Sequence, residues 1–330
     1  MRTLLRLLAV LLVVALLAAG SVWWWLERPL PLAAERVEVS IEPGTSPREV
    51  ARLWTAAGVQ VPTEWLYQWF RWSGQARAIR AGSYEIEPGV TARTLLARMV
   101  RGDQTLEQVR FIDGWTLAQA RAALKDAPHL RPATAALTEA ELATALGVEG
   151  PLEGRFYPDT YLYSRGVSDL TVLKRALTLM DQRLATAWAG RDPQLRVGSP
   201  QELLVLASVV EKETGSDTDR PMVAGVFANR LRLGMPLQSD PTVIYGLGAA
   251  FDGNLRRADL LADTPWNTYT RRGLPPTPIA LVGTRALAAT ARPAQTSALY
   301  FVARGDGSSV FSDTLADHNR AVNRHQRNQP

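Results

Sequence analysis

Between Arg6 and Glu27 the chain runs for twenty residues without a charge, Leu7 to Leu26, and closes that run on Trp23-Trp24-Trp25-Leu26. As a helix rising about 1.5 Å per residue it is about 30 Å long, the thickness of a bilayer's hydrocarbon core. Residues 7–26 therefore read as a transmembrane anchor, with the tryptophans at the membrane–water interface. Arg2 and Arg6 mark residues 1–6 as a basic cytoplasmic tail, so the N-terminus lies inside and the rest of the chain outside a single-pass inner-membrane anchor. Ala18-Ala19-Gly20-Ser21 has the small residues of a cleavage site, but the apolar run continues past it, which favours a retained anchor over a removed signal peptide. Residues 27–35, with Pro29 and Pro31, read as a short stiff tether.

Beyond the tether, a chain of 330 residues has room for more than one domain. The 37 Lys and Arg against 32 Asp and Glu leave +5, with no basic run dense enough to argue for nucleic acid. The absence of cysteine removes disulfides, thiolate nucleophiles and zinc–thiolate sites together. Three scattered histidines, His129, His318 and His325, build neither a metal cluster nor a Ser-His-Asp triad, and no Gly-x-Ser-x-Gly elbow is present. Neither a metal nor a cofactor is expected.

From Arg36 a unit recurs: an alternating strand, a Gly turn and a capped helix. It appears as Val37–Ile41, Gly44, Ser46 and a helix over 47–57, and again as Ser83–Ile86, Gly89, Thr91 and a helix to Val100. A weaker third copy is Val109–Ile112, Gly114, Thr116 and Leu117–Leu124. Between the first two, Thr63 is the expected cap of a helix carrying Trp65, Trp69 and Trp72 at i, i+4 and i+7, a spacing that reads as core. Residues 125–150 are Ala-rich and helical by propensity, a connector.

The segment Ser199 to Thr214 is a strongly marked helix, with Ser199 as N-cap, Pro200 at the first position and Glu202 three residues after the cap. Leu203, Leu206, Ala207 and Val210 form one stripe, and Leu204, Val205 and Val209 spread apolar surface round the rest, leaving a polar gap at Ser208. Such a helix is buried. On its wheel Glu213 falls between Val209 and Leu206 and Glu211 between Leu204 and Ala207, so two carboxylates stand against apolar walls at a helix end whose dipole is already negative. Burial disfavours the charged form, which moves a carboxyl toward the range of a general acid. The pattern alone does not choose between them.

After Gly234 come about forty residues rich in turn formers, with little regular periodicity. They supply uncharged donors, acceptors and aromatic faces suited to a carbohydrate cleft. Ala298–Val302, Gly305-Asp-Gly307 and Ser309–Phe311 then read as a β-hairpin before a closing helix.

Several long motifs in this order resemble the endolytic murein transglycosylases of the YceG-like family. They are Leu206-Ala-Ser-Val-Val-Glu-Lys-Glu-Thr214, Phe227-Ala-Asn-Arg-Leu231, Leu237-Gln-Ser-Asp-Pro-Thr-Val-Ile-Tyr-Gly246, Asn267-Thr-Tyr269 with Gly273-Leu-Pro-Pro276, and Tyr300-Phe-Val302. Ser239 departs from the usual Thr and Thr277 from the usual Gly, and neither is expected to touch a proton-transfer group. Residues 36–88 also resemble a LysM-like module, which in other proteins binds N-acetylated wall glycan. The expected fold class is α+β: an N-terminal transmembrane helix, a LysM-like βααβ module over 36–108, and a mixed α/β YceG-like catalytic domain over 109–330 with a helical core and small β elements.

The resemblance implies a lytic transglycosylase that cuts peptidoglycan between N-acetylmuramic acid and N-acetylglucosamine and leaves a 1,6-anhydro end. It implies that Glu213 is the catalytic acid and base, that the enzyme works beside peptidoglycan synthases, and that it ends nascent strands. Gln238, Asn267 and Tyr269 are the candidates for orienting the sugar's acetamido and hydroxyl groups, with Asp240 and Glu153 as supports. Glu211 is expected to help hold Glu213 protonated by its like charge. Two alternatives stand beside this reading: a hydrolytic muramidase using Asp240 or Glu153 as second carboxylate, and a wall-binding scaffold for synthases without turnover.

Overall fold

Ser46, Thr91, Thr116 and Thr138 each accept the backbone N–H three residues on, and each starts a helix in that way. The computed structural model describes residues 2–327. The first residue of the expected cytoplasmic tail and the last three of the expected catalytic domain lie outside the described residues. By the clustering of its contacts the chain divides into two compact units, Met1–Gln108 with Leu162–Val167, and Val109–Tyr161 with Ser168–Pro330.

In the first unit, α1 (Arg2–Glu27) contains the apolar run, and Leu5–Glu27 is long and apolar enough to cross a membrane by length and composition. Strand β1 (Val37–Ile41) is followed by α2 (Pro47–Ala57), α3 (Thr63–Trp72), β2 (Gly82–Ile86) and α4 (Ala92–Arg101). Strands β1 and β2 pair antiparallel with Val37 opposite Ile86. Their alternate residues Val37, Val39, Ile41, Tyr84 and Ile86 join Trp54, Leu66, Phe70, Leu95 and Met99 in one core.

Three expectations change here. The core-facing stripe of α3 is Leu66 and Phe70, while Trp65 and Trp72, on the next stripe round the helix, are 56% and 71% exposed. Periodicity finds an apolar stripe on a helix that has two. Residues 27–35, read as a short stiff tether, are bonded to the rest of the unit. Leu30 N–H donates to Val90 O, Ala33 N–H to Gly58 O and Gln60 N–H to Pro31 O, so this segment is laced onto the unit. Pro62, not Thr63, stands at the N-cap of α3, and the Thr63 hydroxyl meets that of Thr55 at 2.8 Å.

Strand β3 (Leu106–Arg110) pairs with β4 (Thr160–Ser164). The second unit contains α5 (Leu117–Asp126), α6 (Glu139–Leu146), α7 (Asp169–Ala189), α8 (Pro200–Glu213) and α9 (Arg220–Arg232). Of the Ala-rich stretch 125–150, only α6 and the end of α5 are helical, because Pro128 and Pro132 interrupt the rest. Next come α10 (Asp240–Leu247), α11 (Arg257–Leu261) and α12 (Thr284–Ala291), then the antiparallel pair β5 (Tyr300–Ala303) and β6 (Ser309–Ser312), then α13 (Leu315–Val322).

Helix α8 is the axis of this unit. Its residues from Leu203 to Val210 are all buried, packed with Phe227, Val282, Ala286 and Leu287. Ser208, expected in a polar gap, is fully buried; its Oγ donates to Val205 O at 2.7 Å and accepts Ile279 N–H at 2.9 Å. It thereby pins the Gly273–Ile279 segment to the helix.

Candidate active site

Helix α8 ends at Glu213 because Thr214 turns extended, at φ −142° and ψ 133°, and leaves the last carboxylate projecting at a partly buried position. Ser239 Oγ donates to Glu213 Oε2 at 2.7 Å. Burial pushes the Glu213 carboxyl up to about 7; the Ser239 hydrogen bond opposes this, the negative charge of Asp240 adds to it, and Arg230 works against it. A carboxyl in that range holds its proton in part of the population at neutral pH and can both give and take one. Ser239, expected to be clear of any proton-transfer group, is Glu213's hydrogen-bond partner.

The segment that delivers Ser239 is held from two sides. Arg230, buried on α9, donates through Nη1 to Leu237 O at 2.9 Å and Gln238 Oε1 at 3.1 Å, and through Nε to Leu299 O at 2.7 Å. Burial lowers its guanidinium pKa, and the face of Tyr300 lies 5.1 Å from it. From the other side, Gln238 N–H donates to Thr268 O at 3.1 Å and Ser239 N–H to Thr268 Oγ1 at 3.0 Å. Between these clamps Gln238 sits at φ 53°, a left-handed backbone that a side chain takes up at a penalty of about 1–3 kcal/mol. This twist orients Ser239 toward α8. Asp240 opens α10 and accepts Tyr269 Oη at 2.5 Å; burial and that carboxylate raise the Tyr269 phenol.

The structure thus gathers Glu213, Gln238, Asp240 and Tyr269 into one constellation and adds Ser239, Arg230 and Thr268. The sequence signal for Arg230 is an arginine close after the apolar Val223–Phe227 stretch of α9, and for Thr268 its place between two candidate residues.

Three expected residues stand elsewhere. Asn267 is fully buried, and its Nδ2 donates to Ala262 O at 2.7 Å and Leu260 O at 3.1 Å while its Oδ1 accepts Tyr269 N–H at 2.8 Å. It closes the end of α11 and shapes the Thr268–Tyr269 turn, without a free group for a sugar. Glu211 accepts Gly283 N–H at 2.9 Å at the N-cap of α12, where a carboxylate suits the helix dipole. The like charge acting on Glu213 comes from Asp240 instead.

Glu153 accepts Leu117 N–H at 3.0 Å, at the start of α5, and Tyr245 Oη at 3.2 Å. Burial, first among the causes, pushes it up to about 7. It borders a cleft of about 720 Å³ with Glu139, Tyr245, Trp266 and Thr277, and Glu213 is not among the residues lining that cleft. Trp266 donates to Thr277 Oγ1 at 3.0 Å and meets Tyr245 edge to face at 5.5 Å.

Known proteins share this chain's sequence pattern and fold. The profile of the YceG-like family matches residues 39–324. An endolytic murein transglycosylase of Bacillus subtilis (strain 168) is 30% identical over 303 residues, covering 86% of this chain and 83% of that protein. One from Streptococcus pneumoniae serotype 2 (strain D39 / NCTC 7466) is 26% identical over 324 residues, and the match spans 58% of that longer protein. A crystal structure of a YceG-like protein from Listeria monocytogenes superposes with a TM-score of 0.54 at 27% identity, covering 87% of this chain and 99% of that one.

Proposed function

The chain belongs to the YceG-like family, and from that premise we infer that it is an endolytic murein transglycosylase with Glu213 as its acid and base. It is a lyase that cleaves the bond between N-acetylmuramic acid and N-acetylglucosamine within peptidoglycan strands. The observation that carries the assignment of Glu213 is its combination of a raised proton affinity with a fixed orientation: burial supplies the first and Ser239 the second.

The chemistry needs only one carboxyl. The proton of Glu213 passes to the glycosidic oxygen as the bond from C1 to that oxygen breaks. The C6 hydroxyl oxygen of the same muramic residue bonds to C1, and its proton passes to the Glu213 carboxylate, which restores the acid. No water is added, so the second carboxylate that hydrolytic glycosidases use has no task. The neighbouring N-acetyl oxygen supports the positive charge that develops at C1. Gln238, Asp240 and Tyr269 are the residues we assign to substrate, with Asn267, Glu153 and Glu211 holding the surrounding segments. The products of a hydrolytic muramidase would differ in mass by one water, and Glu213→Gln combined with that product analysis is the test.

Three finer readings accompany this one. The uncharged run of α1, residues 7–26, together with Arg2 and Arg6 before it, supports a single-pass inner-membrane protein with its N-terminus inside and the chain beyond α1 periplasmic. The order β1-α2-α3-β2, with the two strands paired, supports a LysM-like glycan-binding role for the first unit. Cleavage inside strands by an enzyme held at the membrane suits action on nascent glycan beside its synthases, as a terminator of elongation.

A further inference from the structure

The apolar run of α1 does not end at a hinge. The helix continues unbroken to Glu27, its residue Leu26 is 5% exposed in the core of the first unit, and Glu27 pairs with Arg93 Nε at 2.7 Å on α4. The next residues are laced onto the same unit. Whatever depth the end of α1 occupies, the surface beside it occupies too.

That surface is α3. The rings of Trp25 and Trp65 meet edge to face at 5.8 Å, so Trp65 lies level with the last turn of α1. Val22, Trp24, Trp25, Trp65, Trp69 and Trp72 line a groove of about 500 Å³. Trp24, Trp65 and Trp72 are each more than half exposed, an arrangement unfavourable in water. Tryptophan concentrates where one end of the ring is apolar and the other wet, the boundary between lipid headgroups and acyl chains. At the rim the Arg28 guanidinium lies 5.1 Å from the Trp24 ring, placing a positive charge where lipid phosphates would be. A saccharide platform would set polar side chains around the rings to bond hydroxyls, and here Ser21 and Gln68 are the polar residues lining the groove.

We propose that α3 is an interfacial helix, with Trp65 and Trp72 inserting beside Trp24 into the outer leaflet, so that the first unit is seated on the membrane and not hung from it. The proposal rests on the reading of α1 as a span. It makes anchor and first unit one body at a fixed height above the bilayer.

The chain has no cysteine, so single-cysteine labelling is clean. The full chain is reconstituted in vesicles of phosphatidylethanolamine and phosphatidylglycerol, and nitroxides are placed in turn at Gln68→Cys, which keeps every tryptophan, and at Trp72→Cys, Leu16→Cys and Asp306→Cys. Accessibility to oxygen is compared with accessibility to a water-soluble nickel chelate. The expected result is a several-fold oxygen preference at 68 and 72 over 306, weaker than at 16, and its loss at 68 when Trp65→Ala and Trp72→Ala are added. A label at 16 in lipid with labels at 68 and 72 as open to nickel as 306 overturns the seating alone. A label at 16 open to nickel overturns the span and the seating together. Protection at 68 and 72 that appears only on adding glycan strands overturns the proposal in favour of a saccharide platform.

Discussion

Ser239 stands at the N-terminus of α10 without capping it, because its hydroxyl is donated to Glu213 Oε2 at 2.7 Å. A residue of helix-capping type is diverted to hold the carboxyl we assign to proton transfer. That bond favours the carboxylate, so removing it raises the proton affinity of Glu213 further. In Ser239→Ala the fall of kcat/KM on the alkaline side moves up by about one pH unit, and kcat drops on the order of tenfold as the carboxyl loses its orientation. Ser239→Thr, which keeps the hydroxyl, retains both the profile and the rate. Initial rates on glycan strands from pH 5 to 9 measure this.

Asp240 acts in the opposite direction. Its negative charge disfavours the Glu213 carboxylate, and Tyr269 Oη holds it in place at 2.5 Å. Asp240→Asn removes the charge and keeps an acceptor for the phenol. The alkaline limb of kcat/KM, expected near pH 7 in the unmodified enzyme if Glu213 is the acid, therefore moves to lower pH. A limb that stays in place would show that Asp240 does not set the Glu213 proton affinity.

The two carboxyls raised to about 7, Glu213 and Glu153, make the fold less stable as pH rises. Glu213 and Glu153 both titrate near 7 when folded and near 4.5 when exposed. Below about pH 4.5 folded and unfolded chains hold the same protons on these groups. Between there and about 7 the unfolded chain releases them while the folded one keeps them, so stability falls, and it levels off above 7. Each group contributes up to roughly 3 kcal/mol to that loss. Melting curves of Glu213→Gln and Glu153→Gln from pH 4 to 8 are each expected to fall less steeply than those of the parent.

Asn267 separates structure from chemistry. Replacing this buried side chain by Ala strands the carbonyls at the end of α11 and removes the acceptor for Tyr269 N–H. The expected destabilisation is about 2–4 kcal/mol. Activity falls only in step with the folded fraction, and the pH limb stays where it was. A loss of kcat at full folding would instead place Asn267 at the substrate.

Glu213 is visible in the sequence as one of two acids on a buried helix, because burial follows from apolar spacing alone. The direction in which each acid faces is not, since that depends on Gly283 meeting Glu211 and Ser239 meeting Glu213 from segments far along the chain. Helix α10 reads as loop because eight residues are too few for a period, although Ser239-Asp240-Pro241 carries a helix start. The strand–turn–helix units of the first unit are legible from their caps and glycine turns. The Trp stripe of α3 reads as core, against the exposure of Trp65 and Trp72, because spacing finds apolar faces and does not say which face a neighbour covers.

The most direct measurement takes the full chain and its Glu213→Gln variant, equal in circular dichroism, to un-cross-linked glycan strands and weighs the ends produced. The parent is expected to leave anhydro ends, lighter by one water than hydrolysed ones, and the variant on the order of 10³-fold fewer of them. An unchanged yield of anhydro ends from Glu213→Gln, or parent products that carry the added water, would contradict a single-carboxyl lytic reaction at Glu213.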